Sequence, residues 1–565
     1  MSLTAAQIHE TKAKITAPEA FFELEDISLD GRIYKTFKHA PKTLIEVLNN
    51  SRGHGAIDFM VYEGRRYSFD RFYAEVDAMA AVLQSRYGIV KGDRVAIAMR
   101  NNPEWAISYA AITYVGAIVV PINSWGKTEE LQYAVTDSRA KLLVADVSRL
   151  KLLDSVFDQL NIEAIVVDTD GPVATTNVTR FEDVLSEGEG KPYQIPEQLP
   201  EDSCVILYTS GSTGFPKGVV QRHIGVCQAL MNMMFAGFLT MDIEGGAREY
   251  KGGAERETPL LTVPLFHATG LLGGFLIPLQ LGQKAVMMYK WDSEAALKLV
   301  EEEKITSMTS VPAIIQDLLN HPSIDNYNLE SLIRVSAAGA ATPPDLPAMI
   351  DVRFNKPSRS TGYAMTETMA VCSTMIGAIF DFKPDSSGVV SPIIDIRFVD
   401  PAGNVLLQGE AGEIQLRGIT CTPGYWEKPE ANDKTFHEGG WMETGDVGMI
   451  DDDGFIHITG RIKEIVIRGG ENIYPGEIEG IAYQMDGVQE NVVFGVPDDT
   501  MGEEMVLVAY PTPGHEMTAD GLRDYLKGRL ASYKVPKFIE ISDSPLPRNA
   551  SEKLHKLKVK EQYLG

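Results

Sequence analysis

The sequence predicts an α/β protein. It has a large N-terminal domain of mixed α/β sheets, a β-rich subdomain and a small α+β domain at the C-terminal end. Three observations carry this reading. Short β-rich apolar runs alternate with amphipathic helical patterns through most of the chain. After about residue 400 the pattern changes to strands punctuated by turns. A chain of 565 residues is also too long for one compact core, so at least two domains are expected.

In chain order, RVAIAM (94–99), AIVVPI (117–122), KLLVAD (141–146) and AIVVD (164–168) read as buried strands. Between them, RFYAEVDAMAAVLQSRYG (71–88) and TEELQYAVTD (128–137) read as amphipathic helices. Ala106 to Ile122, interrupted by Gly116 and Pro121, reads as a buried helix followed by a strand. Leu260 to Gly282 is long enough to span a bilayer. It holds Pro264, His267, Gly270, Gly273, Gly274 and Pro278, which free backbone groups that lipid could not satisfy, so buried loop and helix are expected. EIQLRG, DDDGF and FIHITGRIKEIVIRGG then suggest hairpins. EIEGIAYQM and ADGLRDYLKGRL supply helices near the C-terminus, and NVVFGV and EMVLVAY supply strands. The boundary falls near Arg461 to Lys463, giving domains 1–462 and 463–565.

Composition narrows the function. Asp and Glu outnumber Lys and Arg by 78 to 52, a formal charge of -26, which repels phosphate backbones and anionic lipid; no nucleic-acid partner is expected. Cys204, Cys227, Cys372 and Cys421 are far apart, without a CxxC pair, which fits a reducing cytoplasm better than a disulfide framework or zinc site. The N-terminus lacks the apolar core of a signal peptide, and no integral membrane segment is expected.

The most informative segment is ILYTSGSTGFPKGVV, 206–220. An apolar strand runs into Thr209, Ser210, Gly211, Ser212, Thr213 and Gly214, and then Lys217. Glycines let backbone N–H groups approach an anion, hydroxyls add donors, and the lysine adds charge. This equipment suits a polyphosphate, although the Walker A order is absent. A flexible Ser/Gly linker is the bland alternative, and the preceding strand and the lysine argue against it.

The segment resembles the signature of the adenylate-forming (AMP-binding) superfamily, in particular its acyl-CoA synthetase and fatty-acid–CoA ligase branch. Matching segments recur in the family's order from about Leu44 to Lys553. The resemblance implies a mobile C-terminal domain, ATP and Mg²⁺ as cofactors, and coenzyme A as co-substrate. By resemblance, STGYAMTET (360–368) stacks Tyr363 on adenine, lines the nucleotide with Thr361 and Gly362, brings Thr366 to the α-phosphate and gives Glu367 to magnesium. A hard carboxylate suits Mg²⁺ and an aromatic face suits a purine. SAAGAAT (336–342) resembles the small-residue segment between adenine and acyl pocket, with Gly339 and Ala340 at the nucleotide. GWMETGDVGMIDDDGF (440–455) and ITGRIKE supply Asp446 and Arg461 as ribose partners, and Lys463 matches the hinge. Gly469 and Gly470 resemble residues flanking the pantetheine tunnel.

LPRNASEKLHK (546–556) resembles the catalytic-lysine motif and places that lysine at Lys553. Relatives usually carry glycine where Glu552 stands, a neighbour that either raises the lysine's pKa or restricts its loop. His555, Lys556, Lys558 and Lys560 read as a solvated basic face. TVPLFHATG (262–270) resembles the acyl gate. Phe266 and His267 stand there instead of the aspartate that amino-acid-activating relatives commonly carry, so an unsubstituted apolar acid is implied. The catalytic set is then Lys553, His267 and Lys217.

The implied activity is ATP-dependent formation of an acyl-adenylate from a hydrophobic carboxylic acid, followed by transfer to coenzyme A. A medium- or long-chain fatty acid is favoured, with a cinnamate-type aryl acid as the alternative. MNMMFAGFL (231–239) is a candidate tunnel lining or ordinary helix core, and DIEGGAREYKGGAERE (242–257) a substrate lid or a disordered insertion. A carrier-loading domain is disfavoured because no carrier domain precedes the last residue, Gly565. A non-enzymatic nucleotide or acyl sensor would be expected to have lost Lys553, Glu367 or the phosphate loop. Oligomeric state stays open, a homodimer included.

Overall fold

The computed structural model describes residues 3–167, 177–209, 216–246, 251–337, 346–354, 357–370, 372–469, 471–548 and 553–564. Two large sheets form the N-terminal part. The first has seven strands, ordered Gly218–Arg222, Ser203–Tyr208, Ile118–Pro121, Arg94–Ala98, Leu142–Asp146, Glu163–Val167 and Val178–Arg180. All neighbours in it are parallel except the first pair. The second has six strands, Arg334–Ala337, Ser307–Ser310, Pro259–Leu261, Ala285–Met287, Asp58–Tyr62 and Arg65–Ser68, parallel until the closing hairpin. The expected strands at 94–99, 117–122, 141–146 and 164–168 are therefore consecutive members of one parallel core.

Helices lie between the sheets, and one apolar core joins Val95, Ile97 and Val119 of the first to Phe59, Leu261 and Met287 of the second. Pro103–Tyr114 has every residue buried, as an all-round apolar helix requires. It begins cleanly because Asn102 Oδ1 accepts the Trp105 amide at 2.8 Å and Pro103 occupies the first turn. His223–Ile243 is, by length and composition, able to cross a membrane; its most apolar window is 61% buried within the fold, which marks it as a core helix. The stretch after Leu260 forms the strand Pro259–Leu261, a π-helical segment Gly270–Leu276 and the helix Ile277–Leu281.

The β-rich part is a four-stranded antiparallel sheet, Ile394–Val399, Gly412–Gly418, Met442–Ile450 and Ile456–Arg461. A turn at Ile462–Glu464 leads to the C-terminal sheet of Val466–Arg468, Glu471–Ile473, Val488–Asp498, Gly502–Pro511 and Phe538–Ile541. The helices Pro475–Tyr483 and Ala519–Lys527 pack on it through Ile478, Ala482, Leu522 and Leu526. Gly476 lies so close to the preceding sheet that an added Cβ would stand 2.9 Å from the Thr459 carbonyl oxygen. The small unit thus abuts the cleft wall.

Two expectations are corrected. Lys556 is not part of a solvated face: it is half-buried, 2.6 Å from Glu464 and 3.0 Å from Glu479. The 242–257 segment is not a free insertion over its second half. At Gly252 an added Cβ would come within 2.6 Å of the Ser331 amide, and Arg256 donates to the Gly282 and Asp58 carbonyls at 2.9 and 2.5 Å.

Candidate active site

One cavity of about 3280 Å³ runs between the two sheets, the β-rich sheet and the C-terminal unit. Thr209, Lys217, His267, Thr361, Gly362, Tyr363, Thr366, Glu367, Asp446, Arg461, Lys463 and Lys553 all line it. Ser210 to Gly214, Gly339, Ala340, Gly470 and Glu552 lie outside the described residues. Gly469 does not line the cavity; it takes a left-handed turn (φ +59°) beside Met501.

Parallel-strand topology explains the convergence. Tyr208 ends the strand that feeds the glycine-rich loop, and the Thr209 amide donates to the Lys217 carbonyl at 3.0 Å, closing that loop at its base. Gly362 permits a backbone approach no side chain would allow, since its Cβ would stand 2.3 Å from the Ser373 carbonyl. Strand pairing places Asp446 opposite Arg461. Tyr363 Oη donates to Asp446 Oδ2 at 2.7 Å and Arg461 Nε to Oδ1 at 3.0 Å, so both carboxylate oxygens are held.

Around Lys217 the cavity gathers further positive charge from Lys434 and Lys463. Lys217 Nζ stands 4.4 Å over the Tyr425 ring, and Tyr425 Oη donates to Glu367 Oε1 at 3.0 Å. Burial, with the charges of Lys463 and Lys434, pulls the Lys217 pKa below the usual lysine value, against the opposing effect of Glu367. Lys553 is reached by solvent through the open cleft. Its partial enclosure there, followed by the charge of Arg461, lowers its pKa too. Its charge also reaches His267, whose pKa is pushed down to about 4, chiefly by desolvation.

The 262–270 loop is clamped by Asn101, which accepts the Leu265 amide and donates to the Val263 carbonyl, each at 2.9 Å. Phe266 packs edge-on to Trp125, with ring centroids 5.5 Å apart. Met233, Met234, Gly237, Phe238 and Met241 present one helical face to the cavity, so the 231–239 stretch supplies both lining and core.

A model of the AMP-binding enzyme family matches residues 48–426, and one of the AMP-binding enzyme C-terminal domain matches residues 477–553. The chain belongs to this family. It is 32% identical over 495 residues to a feruloyl-CoA synthase of an Amycolatopsis species, covering 87% of this chain and 94% of the relative. It is 30% identical over 557 residues to a long-chain-fatty-acid–CoA ligase of Bacillus subtilis, covering 92% and 94%. Among solved structures, o-succinylbenzoate CoA synthetase of Bacillus subtilis superposes with a TM-score of 0.74 at 25% identity, over 91% of this chain and 97% of that one; that structure holds the acyl-adenylate OSB-AMP. The same enzyme has also been solved with ATP and a magnesium ion.

This AMP-binding enzyme is an acid–thiol ligase of the AMP-forming type, with ATP, Mg²⁺ and coenzyme A as its nucleotide, metal and co-substrate. The donor set fits magnesium arriving with polyphosphate. Among the described residues no cluster of three His, Cys, Asp or Glu side chains could hold a metal by itself, and Glu367 offers a single carboxylate. Sequence reasoning missed Tyr425, Lys434 and Asn101. Only Tyr425 carries a local signal, the aromatic pair after a glycine in TPGYW.

Proposed function

We propose that this ligase activates a hydrophobic carboxylic acid, a medium- or long-chain acid in preference to a small one. The observation that carries this is the apolar lining that Met233, Met234, Phe238, Met241 and Leu261 contribute to the cavity. A carboxylate oxygen attacks the α-phosphorus of ATP; the new P–O bond forms as the bond to pyrophosphate breaks. Lys553 neutralises the two approaching anions, and Lys217 accompanies the departing pyrophosphate. Mg²⁺, when bound, supplies further charge neutralisation on the phosphates, with Glu367 as its protein ligand. Thr209 to Gly214 hold the phosphates, Thr366 meets the α-phosphate, and Asp446 and Arg461 hold the ribose. Tyr363, Thr361, Gly362, Gly339 and Ala340 surround the base.

The thiol of coenzyme A then attacks the adenylate carbonyl, forming C–S as the bond to AMP breaks. In this reading domain 463–565 swings about Lys463 against domain 1–462, removes Lys553 from the cleft and brings Gly469 and Gly470 beside the pantetheine arm. The position of Gly469 away from the cavity supports a need for such a motion. His267 orients the carboxylate as a neutral imidazole. Purified protein incubated with ATP, Mg²⁺, coenzyme A and a panel of fatty and aryl acids, with the thioesters weighed, tests the substrate reading; thioesters from small polar acids alone would defeat it.

A further inference from the structure

The segment carrying Lys553 is held at both ends by carboxylates. Before it, Glu490, only 5% exposed, accepts the Leu546 amide at 2.7 Å through Oε2 and the Arg548 guanidinium through Oε1. Arg548 pairs antiparallel with Leu554, and the His555 amide donates to the Pro547 carbonyl at 2.7 Å. After it, the helix Lys556–Leu564 packs Val559 and Tyr563 on the strand Val488–Asp498, with the Tyr563 and Phe494 rings 5.7 Å apart. These contacts fix the segment to the C-terminal sheet. None of them reaches the turn at Ile462–Glu464.

Lys556 does. Its Nζ donates to Glu464 Oε2 at 2.6 Å and to Glu479 Oε2 at 3.1 Å. Glu464 directly follows Lys463 in the turn. Glu479 belongs to the helix Pro475–Tyr483, and its Oε1 accepts the Val493 amide at 2.8 Å, which fixes the carboxylate. Lys463, Glu464, Glu479, Lys553 and Lys556 all line the one cavity. A lysine is poorly placed at the first residue of a helix, where the dipole disfavours a cation. The two carboxylates offset that cost here, so the position is explained by what the ammonium joins. All three charged groups follow Lys463 in sequence, so this brace would travel whole with a domain turning there.

Positioning is steep in its effect, because a displacement of about 1 Å can cost about 10²-fold in rate. Lys553 stands three residues from Lys556. We propose that Lys556 is a positioning residue for adenylate formation: by joining Glu464 and Glu479 it sets the Lys553 ammonium at a fixed reach from the hinge turn. This rests on the reading of Lys553 as the residue that serves the first half-reaction.

The test uses the full chain and reads the two half-reactions separately. Lys556→Met, which removes the charge and keeps a long side chain, should lower kcat for ATP–pyrophosphate exchange about tenfold or more with KM for ATP little changed. Thioester formation from supplied acyl-adenylate should stay near the wild-type rate. Lys556→Arg, which keeps a cation between the carboxylates, should restore most of the exchange. Glu464→Gln should slow exchange less, and add little in the Lys556→Met background, because both act through one contact. Wild-type exchange in Lys556→Met overturns the proposal. So does equal slowing of both half-reactions, which marks general damage to the domain. If Lys556→Met does not fold, Glu464→Gln decides: selective slowing of exchange supports the brace, and any other result overturns it. Lys553→Ala keeps the two readings apart. If it exchanges like the wild type, the role of Lys553 falls and this proposal with it; if it is slow while Lys556→Met is not, this proposal falls alone.

Discussion

Tyr363 and Asp446 come from different elements of the cleft and meet directly, the phenol donating to Oδ2 at 2.7 Å. Arg461 takes the other oxygen, so the carboxylate is fixed in plane before any ligand arrives. Hydrogen bonds to a charged group contribute about 1.5–3 kcal/mol. Tyr363→Phe, which keeps the ring and removes only this bond, should raise KM for ATP about tenfold and leave kcat within a few-fold. Steady-state kinetics with ATP as the varied substrate decides it; an unchanged KM would mean that the Tyr363 bond does not help Asp446 hold the nucleotide.

In the proposed mechanism Lys553 and Lys463 serve different half-reactions. Lys553→Ala should slow ATP–pyrophosphate exchange by about 10²-fold or more, the scale for losing one transition-state charge contact. It should still make thioester from supplied acyl-adenylate. Lys463→Pro should do the reverse by stiffening the turn at Ile462–Glu464. Loss of both steps in both variants would refute a two-position scheme. The lowered pKa of Lys553 adds a sign: exchange should decline at a pH below the usual lysine range as that charge is lost.

How much of this could be read from the sequence follows from how local each signal is. Buried parallel strands announce themselves as short apolar runs, and RVAIAM, KLLVAD and AIVVD lie where expected. Lys217, Tyr363, Asp446 and Lys553 sit in distinctive short motifs, and the fold gathers them into one cavity. Lys556 escaped because its carboxylate partners are distant in sequence, Glu464 by 92 residues and Glu479 by 77. Asn101 clamps a loop more than 160 residues away, and Glu257 meets Arg334 only through sheet register. Such pairings belong to topology, and no periodicity in the sequence encodes them.

Gly273 and Gly274 should respond oppositely to substitution. A Cβ on Gly273 meets only the Met233 methyl, at 3.6 Å, so a larger side chain there projects into the cavity. One on Gly274 would lie 2.1 Å from Leu261 Cδ1, a buried core side chain at the edge of the cavity that has no room to give. Gly273→Leu should therefore leave the melting temperature nearly unchanged while cutting kcat/KM for long acids at least tenfold and sparing short ones. Gly274→Leu should lower the melting temperature by several degrees. Equal chain-length profiles for wild type and Gly273→Leu would place the acyl chain elsewhere.

His223 gives the fold an acid-sensitive joint. It is buried at the start of the long helix, and its Nδ1 accepts the Leu44 amide at 3.1 Å. Burial pushes its pKa down from 6.5 to about 4; Asp202 opposes this and Lys91 reinforces it. Between those values the unfolded chain binds a proton that the folded chain refuses, so stability falls as pH drops from 6.5 towards 4. The full difference corresponds to roughly 3 kcal/mol. Protonation also turns Nδ1 into a donor, which leaves the Leu44 N–H without its acceptor. His223→Asn keeps an acceptor but cannot titrate. Denaturant midpoints at pH 7 and pH 5 should differ less for this variant than for the wild type, even if its stability at pH 7 is lower. Parallel losses in the two proteins would show that His223 is already protonated in the folded state at pH 5.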